Sequence, residues 1–281
     1  MGEALGTLLA RHPVRDITPG VVKISYRTAG AGLPVVLLHG IGAGSASWVH
    51  QLDGLASDFH LVAWDAPGYG LSKPLPAASP AAAEYADVLK MLLDSLGIVR
   101  CILVGHSLGA IVAASFAAHC PERVLGLLLL APANGYGRAD PDVRAEKLAA
   151  RLKALDELGV EGLAAARAPH LLSARASPEA LELVRFDMGQ VRVDGYAQAS
   201  RLLANGWLVD DAARFPGPAL IACGSADEIT PPDDCRHIAM AFAQQQFVLL
   251  PGLGHAAQIE DPAAVNALIA EFALRHRGRP A

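Results

Sequence analysis

Gly105-His106-Ser107-Leu108-Gly109 is the stretch on which the reading of this chain turns. An apolar run, residues 99–104, precedes it and the Ala-rich apolar segment 110–118 follows, so the pentapeptide lies where a strand would turn straight into a helix. A G-x-S-x-G at such a corner strains the backbone at the serine and crowds its flanks, which explains the two glycines. The turn presents Ser107 as a nucleophile. Leu108 then opens the helix, leaving its backbone N–H free to face an anion.

Working outward, short apolar runs at 34–38, 61–64, 124–130, 218–223 and 247–250 read as further strands. Continuous runs of this kind belong to strands covered on both faces, hence to a mostly parallel sheet in an α/β fold. Residues 21–28 read as an edge strand. Between them, 81–96 (stopped by Gly97), 233–243 and 263–276 read as helices. The rhythm breaks over 132–208, where no strand pattern occurs. There Leu148, Leu152, Leu155 and Leu158 fall at helical spacing before Gly159, and Ser177-Pro178 offers an N-cap and first-turn proline for a helix through Met188. The expected organisation is a core of 1–131 and 209–281, with a helical cap (lid) at 132–208.

The 281 residues suffice for one large domain with an insertion, able to bury a sizeable interior without a metal or disulfide. Lys and Arg number 23 against 28 Asp and Glu, a net charge of −5, with no long basic run, which argues against nucleic-acid binding. The cysteines Cys101, Cys120, Cys223 and Cys235 lack C-x-x-C spacing and read as buried thiols. The start, Met1-Gly2-Glu3-Ala4-Leu5-Gly6, has neither the basic region nor the apolar stretch of a signal peptide, and Gly6 stands where a myristoylation signal requires Ser or Thr. No apolar run approaches the roughly 20 residues that span a bilayer. A cytoplasmic location without membrane association is expected, and the sequence leaves oligomeric state open.

A serine hydroxyl is a weak nucleophile until a base takes its proton, and that base needs an orienting carboxylate. Asp227 follows the strand 219–223 in Gly224-Ser225-Ala226-Asp227-Glu228, with Glu228 its nearest rival. His255 follows the strand 247–250 in Pro251-Gly252-Leu253-Gly254-His255. Functional groups of open α/β sheets gather beyond the carboxyl ends of strands, where all three candidates lie in the order Ser, Asp, His. His106 adjoins the serine, but neighbouring side chains at a strand end point apart, so it reads as packing. Chemistry at a carbonyl also requires donors for an oxyanion. The backbone amides of Leu108 and of Ile41, in the loop His39-Gly40-Ile41-Gly42-Ala43-Gly44, are the candidates, with His39 as a brace for that loop.

Together with Asp65-Ala66-Pro67-Gly68-Tyr69-Gly70-Leu71-Ser72, a D-x-x-G-x-G-x-S segment, these motifs resemble the α/β-hydrolase family over nearly the whole chain. The resemblance implies a mostly parallel eight-stranded sheet flanked by helices, a helical cap after strand six, and a triad of Ser107, His255 and Asp227. Ala131-Pro132-Ala133-Asn134 has no carboxylate where some members carry the acid, which favours Asp227. Serine in place of an aspartate nucleophile disfavours epoxide hydrolase and haloalkane dehalogenase activities. Hydrolysis of a small-molecule carboxylic ester or lactone is expected, needing no cofactor and no metal. Trp48, Tyr136, Phe186 and Trp207 are the aromatic candidates for an apolar acyl pocket.

Alternatives use the same triad: carbon–carbon hydrolysis of ring-cleavage products, from whose Asn-before, Met-after serine pattern this elbow departs, and cofactor-free haloperoxidase or perhydrolase chemistry. A ligand receptor with a hydrolase-like pocket is the non-enzymatic alternative. Gly40-Ile41-Gly42-Ala43-Gly44-Ser45 with Asp65 imitates a dinucleotide fingerprint, but lies after the wrong strand and leaves Ser107, Asp227 and His255 unexplained.

Overall fold

A computed structural model describes residues 2–278; Met1 and residues 279–281, at the extremes of the expected core segments, lie outside the described residues. The strands are β1 (Arg15–Ile17), β2 (Ile24–Ala29), β3 (Leu33–Leu38), β4 (Phe59–Trp64), β5 (Cys101–His106), β6 (Val124–Leu130), β7 (Pro218–Gly224) and β8 (Gln244–Leu250). They form one sheet in the order β1-β2-β4-β3-β5-β6-β7-β8. β1–β2 and β2–β4 pair antiparallel and the remaining neighbours pair parallel, which is the mostly parallel eight-stranded sheet expected.

The helices are α1 (Glu3–Arg11), α2 (Val49–Gly54), α3 (Ala82–Ser95), α4 (Leu108–His119), α5 (Pro141–Arg167), α6 (Pro178–Met188), α7 (Val193–Asn205), α8 (Leu208–Ala212), α9 (Pro232–Ala239), α10 (Ala257–Glu260) and α11 (Pro262–His276). The central strands alternate between two cores. Val36, Leu38, Leu103, Leu127 and Leu129 pack on one face with residues of α3 and α4. Val35, Leu37, Ile102, Val104, Leu128 and Leu130 pack on the other with residues of α2 and α11. Both side-chain sets of each strand are therefore buried, and the strands read as unbroken apolar runs. α4 lies between the sheet and α3 and α8, and its residues from Leu108 to Ala117 are all buried.

The expected edge strand at 21–28 is the second strand in, because Arg15–Ile17 adds a further strand outside it. β5 begins at Cys101 rather than 99; Val99 is exposed, and its carbonyl and that of Ile98 accept hydrogen bonds from Arg123. β8 starts three residues before the expected 247, its solvent-facing position accommodating Gln244, Gln245 and Gln246.

Between β6 and β7 the chain runs through α5 to α8. α5 continues past the expected stop at Gly159, where the backbone breaks from helical geometry (φ 63°, ψ −179°) and the helix kinks. Ser177 caps α6 as expected, accepting a hydrogen bond from Ala180 N. The two ends of the insertion are joined: Tyr136 N donates to Leu203 O, Gly137 N to Gly206 O, and Leu208 N to Asn134 O.

Candidate active site

Ser107 joins β5 to α4 at φ 52° and ψ −115°, a conformation that a non-glycine residue holds only under constraint. The constraint is the packing of the flanking backbone. A β-carbon at position 105 would meet Gly109 O at 2.7 Å, and one at position 109 would meet Leu38 O at 2.5 Å, so both glycines are required by close approach. Ser107 N donates to Leu130 O and its carbonyl accepts from Ala110 N and Ala133 N, pinning the elbow to the ends of β6 and α4.

His255 Nδ1 lies 2.9 Å from Asp227 Oδ2. Both residues are buried, and Nδ1–H donates to the carboxylate, leaving Nε2 as the acceptor. Asp227 is held from several sides: its Oδ1 accepts from Ile229 N at 2.8 Å and Thr230 N at 3.0 Å, and Thr230 Oγ1 lies 2.8 Å from Oδ2. Burial pushes the Asp227 carboxyl up, but the hydrogen bond and charge of His255 and the two donors of Thr230 hold it below the ordinary carboxylate range. Glu228 contributes nothing to this arrangement among the described hydrogen bonds. Thr230, which the sequence did not single out, also contacts Ala131 O at 3.1 Å and His255 Nδ1 at 3.2 Å. Its only sequence signal is its position three residues after the acid.

His106 Nε2 donates to His255 O at 3.0 Å, and the two rings lie 4.9 Å apart. Burial, then the charge of His255, pushes the His106 imidazole down to about 3, so it stays neutral and serves as a brace. His39 braces the other loop: Ala66 N donates to its Nε2 at 3.0 Å, which leaves Nδ1–H to donate to Gly40 O at 2.9 Å. Asp65 is consumed in the same scaffold, accepting from Ser45 N and Ser25 Oγ, so it has the role of a loop anchor rather than of a ribose ligand.

Ser107, His255, His106 and Ile41 line one cavity of about 360 Å³. Leu108 N lies at the start of α4, where the helix dipole favours negative charge, and Ile41 N belongs to the loop after β3, which lines the cavity. The Ser107 hydroxyl and His255 Nε2 make no hydrogen bond among the described residues; such contacts commonly tighten only around a substrate. Tyr136 and Trp207 line the cavity, but Trp48 and Phe186 do not. Trp48 is fully buried with Leu37 and Leu52 beneath the loop, its ring edge-on to His106. Phe186 is turned away because Val184, Asp187 and Met188 hold the cavity face of α6, and position 186 lies on the opposite side of that helix, against a second cavity. No sequence motif marks the polar wall: Arg151 and Arg167 of α5 and Asp187 of α6 all line the same cavity.

Among the described residues no group of three or more His, Cys, Asp or Glu is placed to hold a metal ion, and no helix is long and apolar enough to cross a membrane.

Comparison with known proteins agrees with the fold. A family model described as alpha/beta hydrolase fold matches residues 34–262. The chain is 28% identical over 270 residues to the dihydrolipoyllysine-residue acetyltransferase component of an acetoin cleaving system from Cupriavidus necator, covering 88% of this chain but only 66% of that protein. It is 29% identical over 265 residues to a 2-hydroxy-6-oxononadienedioate/2-hydroxy-6-oxononatrienedioate hydrolase from Paraburkholderia phymatum, covering 89% of this chain and 91% of the relative. A solved structure of a thermophilic esterase from Thermogutta terrifontis, with malate bound, superposes with a TM-score of 0.84 at 27% identity, covering 94% of this chain and 99% of that one.

Proposed function

Since the chain belongs to the α/β-hydrolase fold family, we propose that it is a serine hydrolase cleaving a small-molecule carboxylic ester or lactone through an acyl-enzyme on Ser107. The observation that carries this reading is the strained Ser107 at a helix N-terminus, sharing one cavity with a histidine whose far nitrogen is held by a buried carboxylate. His255 Nε2 takes the Ser107 proton as Oγ attacks the carbonyl carbon, and the Leu108 and Ile41 amides hold the oxyanion. The tetrahedral intermediate collapses with protonation of the leaving alcohol by His255. Water, deprotonated by the same histidine, then attacks the acyl-enzyme and releases the acid. Asp227 fixes the Nδ1–H tautomer and stabilises the imidazolium. Residues 132–208 form the cap of a core made by 1–131 and 209–281, and supply much of the substrate-facing wall.

Ser107→Ala should lower turnover of p-nitrophenyl butyrate by several orders of magnitude and abolish labelling by a fluorophosphonate probe, which peptide mapping of the wild-type protein should place on Ser107. Wild-type turnover in the variant, or labelling elsewhere, overturns the assignment. The likeness to the 2-hydroxy-6-oxononadienedioate hydrolase supports a second reading, carbon–carbon hydrolysis with the same triad. Turnover of a 2-hydroxy-6-oxodienoate without turnover of any ester would favour it.

A further inference from the structure

Two arginines of the same helix line the catalytic cavity and neither has an acidic partner among the described residues. Arg151 and Arg167 stand on the two arms of α5, either side of the Gly159 kink, and both are partly buried. Neither forms an ion pair among the described residues, and Arg151 Nη1 is shut off from solvent without a hydrogen-bond partner. Burial, then the like charge of Arg151, pushes the Arg167 guanidinium down, while the tyrosines Tyr196 and Tyr136 beside it act in the opposite direction. Both arginines line the cavity that Ser107 and His255 share.

Partly buried like charges without a counter-ion are unfavourable in any fold, and a helix so exposed elsewhere has room to carry such residues on its outer face. The two acids of the same cavity do not serve them. Asp187 accepts a hydrogen bond from Gly44 N and feels the charge of Arg27, and Asp234 lies exposed on α9. Leu171, Val184, Leu203, Trp207 and Ile259 give the same cavity an apolar portion. A planar guanidinium fork matches a carboxylate in two parallel hydrogen bonds, and a cavity of this size takes a small amphipathic molecule.

From this juxtaposition we infer that the substrate carries a second functional group, a free carboxylate, which Arg151 and Arg167 bind while its ester or lactone carbonyl reaches Ser107. The inference rests on the hydrolase reading above for the carbonyl, but the anion subsite is testable by binding alone. Calorimetric titration of the full chain should show glutarate binding at least tenfold more tightly than glutaramide, its uncharged counterpart. Arg151→Met and Arg167→Met should each weaken glutarate by tenfold or more with a smaller effect on glutaramide, and Arg→Lys at either position should restore part of the loss. Glutarate binding no better than glutaramide, equal losses for both ligands, or tighter binding of inorganic phosphate than of glutarate would overturn the subsite. If a Met variant does not fold, the wild-type comparison and the Lys variants decide the matter.

A paired rate measurement separates this inference from the one beneath it. The wild type should cleave mono-p-nitrophenyl glutarate with at least tenfold higher kcat/KM than p-nitrophenyl pentanoate. Cleavage of both at similar rates sinks the carboxylate subsite and leaves ester hydrolysis standing. Selective glutarate binding with neither ester cleaved sinks ester hydrolysis and leaves the subsite standing.

Discussion

Thr230 touches every part of the acid–base pair. Its hydroxyl has one proton to donate, with Asp227 Oδ2 and Ala131 O both in range, and its oxygen lies within reach of His255 Nδ1–H. Thr230→Val keeps the shape and removes these contacts. A hydrogen bond to a charged group contributes about 1.5–3 kcal/mol, and about 1.4 kcal/mol is tenfold in rate, so kcat should fall by roughly tenfold or more while KM changes little. Because Thr230 helps hold the Asp227 carboxyl down, the deficit should widen as the pH falls. A deficit constant with pH would make Thr230 a packing residue only. The residues proposed for catalysis were readable in the sequence because each sits in a local turn at a strand end, whereas Thr230 has no motif of its own and is placed by its contact with Ala131 O just past β6.

At the scale of elements, α5 places Arg151 before its kink and Arg167 after it, so the bend at Gly159 sets the spacing between them. At φ 63° and ψ −179° the backbone is in a region essentially reserved for glycine, although a β-carbon there would meet nothing within 4 Å. Gly159→Ala therefore carries conformational strain and no clash. It should cost about 1–3 kcal/mol by urea unfolding if the kink persists. If the helix straightens instead, the loss of stability will be smaller and KM will rise. An unchanged stability together with an unchanged KM would show that the kink is unimportant.

The elements that the sequence displayed clearly are those buried on both sides, such as β3 and β6, whose every neighbour enforces an apolar side chain. The peripheral ones were not visible. Arg15–Ile17 is a three-residue strand with two exposed side chains, held by pairing with β2 rather than by any pattern of its own. The aromatic pocket candidates divide for the same reason. Whether Trp48 or Trp207 meets the cavity depends on how a loop and a helix rotate against the sheet, and composition carries no record of that rotation.

Across the whole molecule, Asp187 is a carboxylate buried between two cavities, accepting a hydrogen bond from Gly44 N. Burial above all, with Asp65 nearby, pushes it from 3.8 up to about 7. An acid whose folded pKa is raised holds its proton more tightly in the folded state. Its cost to stability is absent below the unfolded value, grows between about 4 and 7, and is fully present above that window. Asp187→Asn keeps an acceptor for Gly44 N and removes the charge. The variant should melt several degrees above the wild type at pH 8, with the gain disappearing near pH 4. A melting difference independent of pH would exclude a buried charge at this position.

The three backbone hydrogen bonds that close residues 134–137 onto 203–208 give the insertion a narrow neck. Residues 138–202 leave and rejoin the rest of the chain through that neck, while Ser107, Asp227 and His255 all stand outside it. The same segment is also tied to the loops of the candidate site, through Asp187 to Gly44 N, Leu171 O to Ala256 N and Ser173 N to Glu260, so any other stretch of helices put in its place would have to reproduce those contacts as well as the neck.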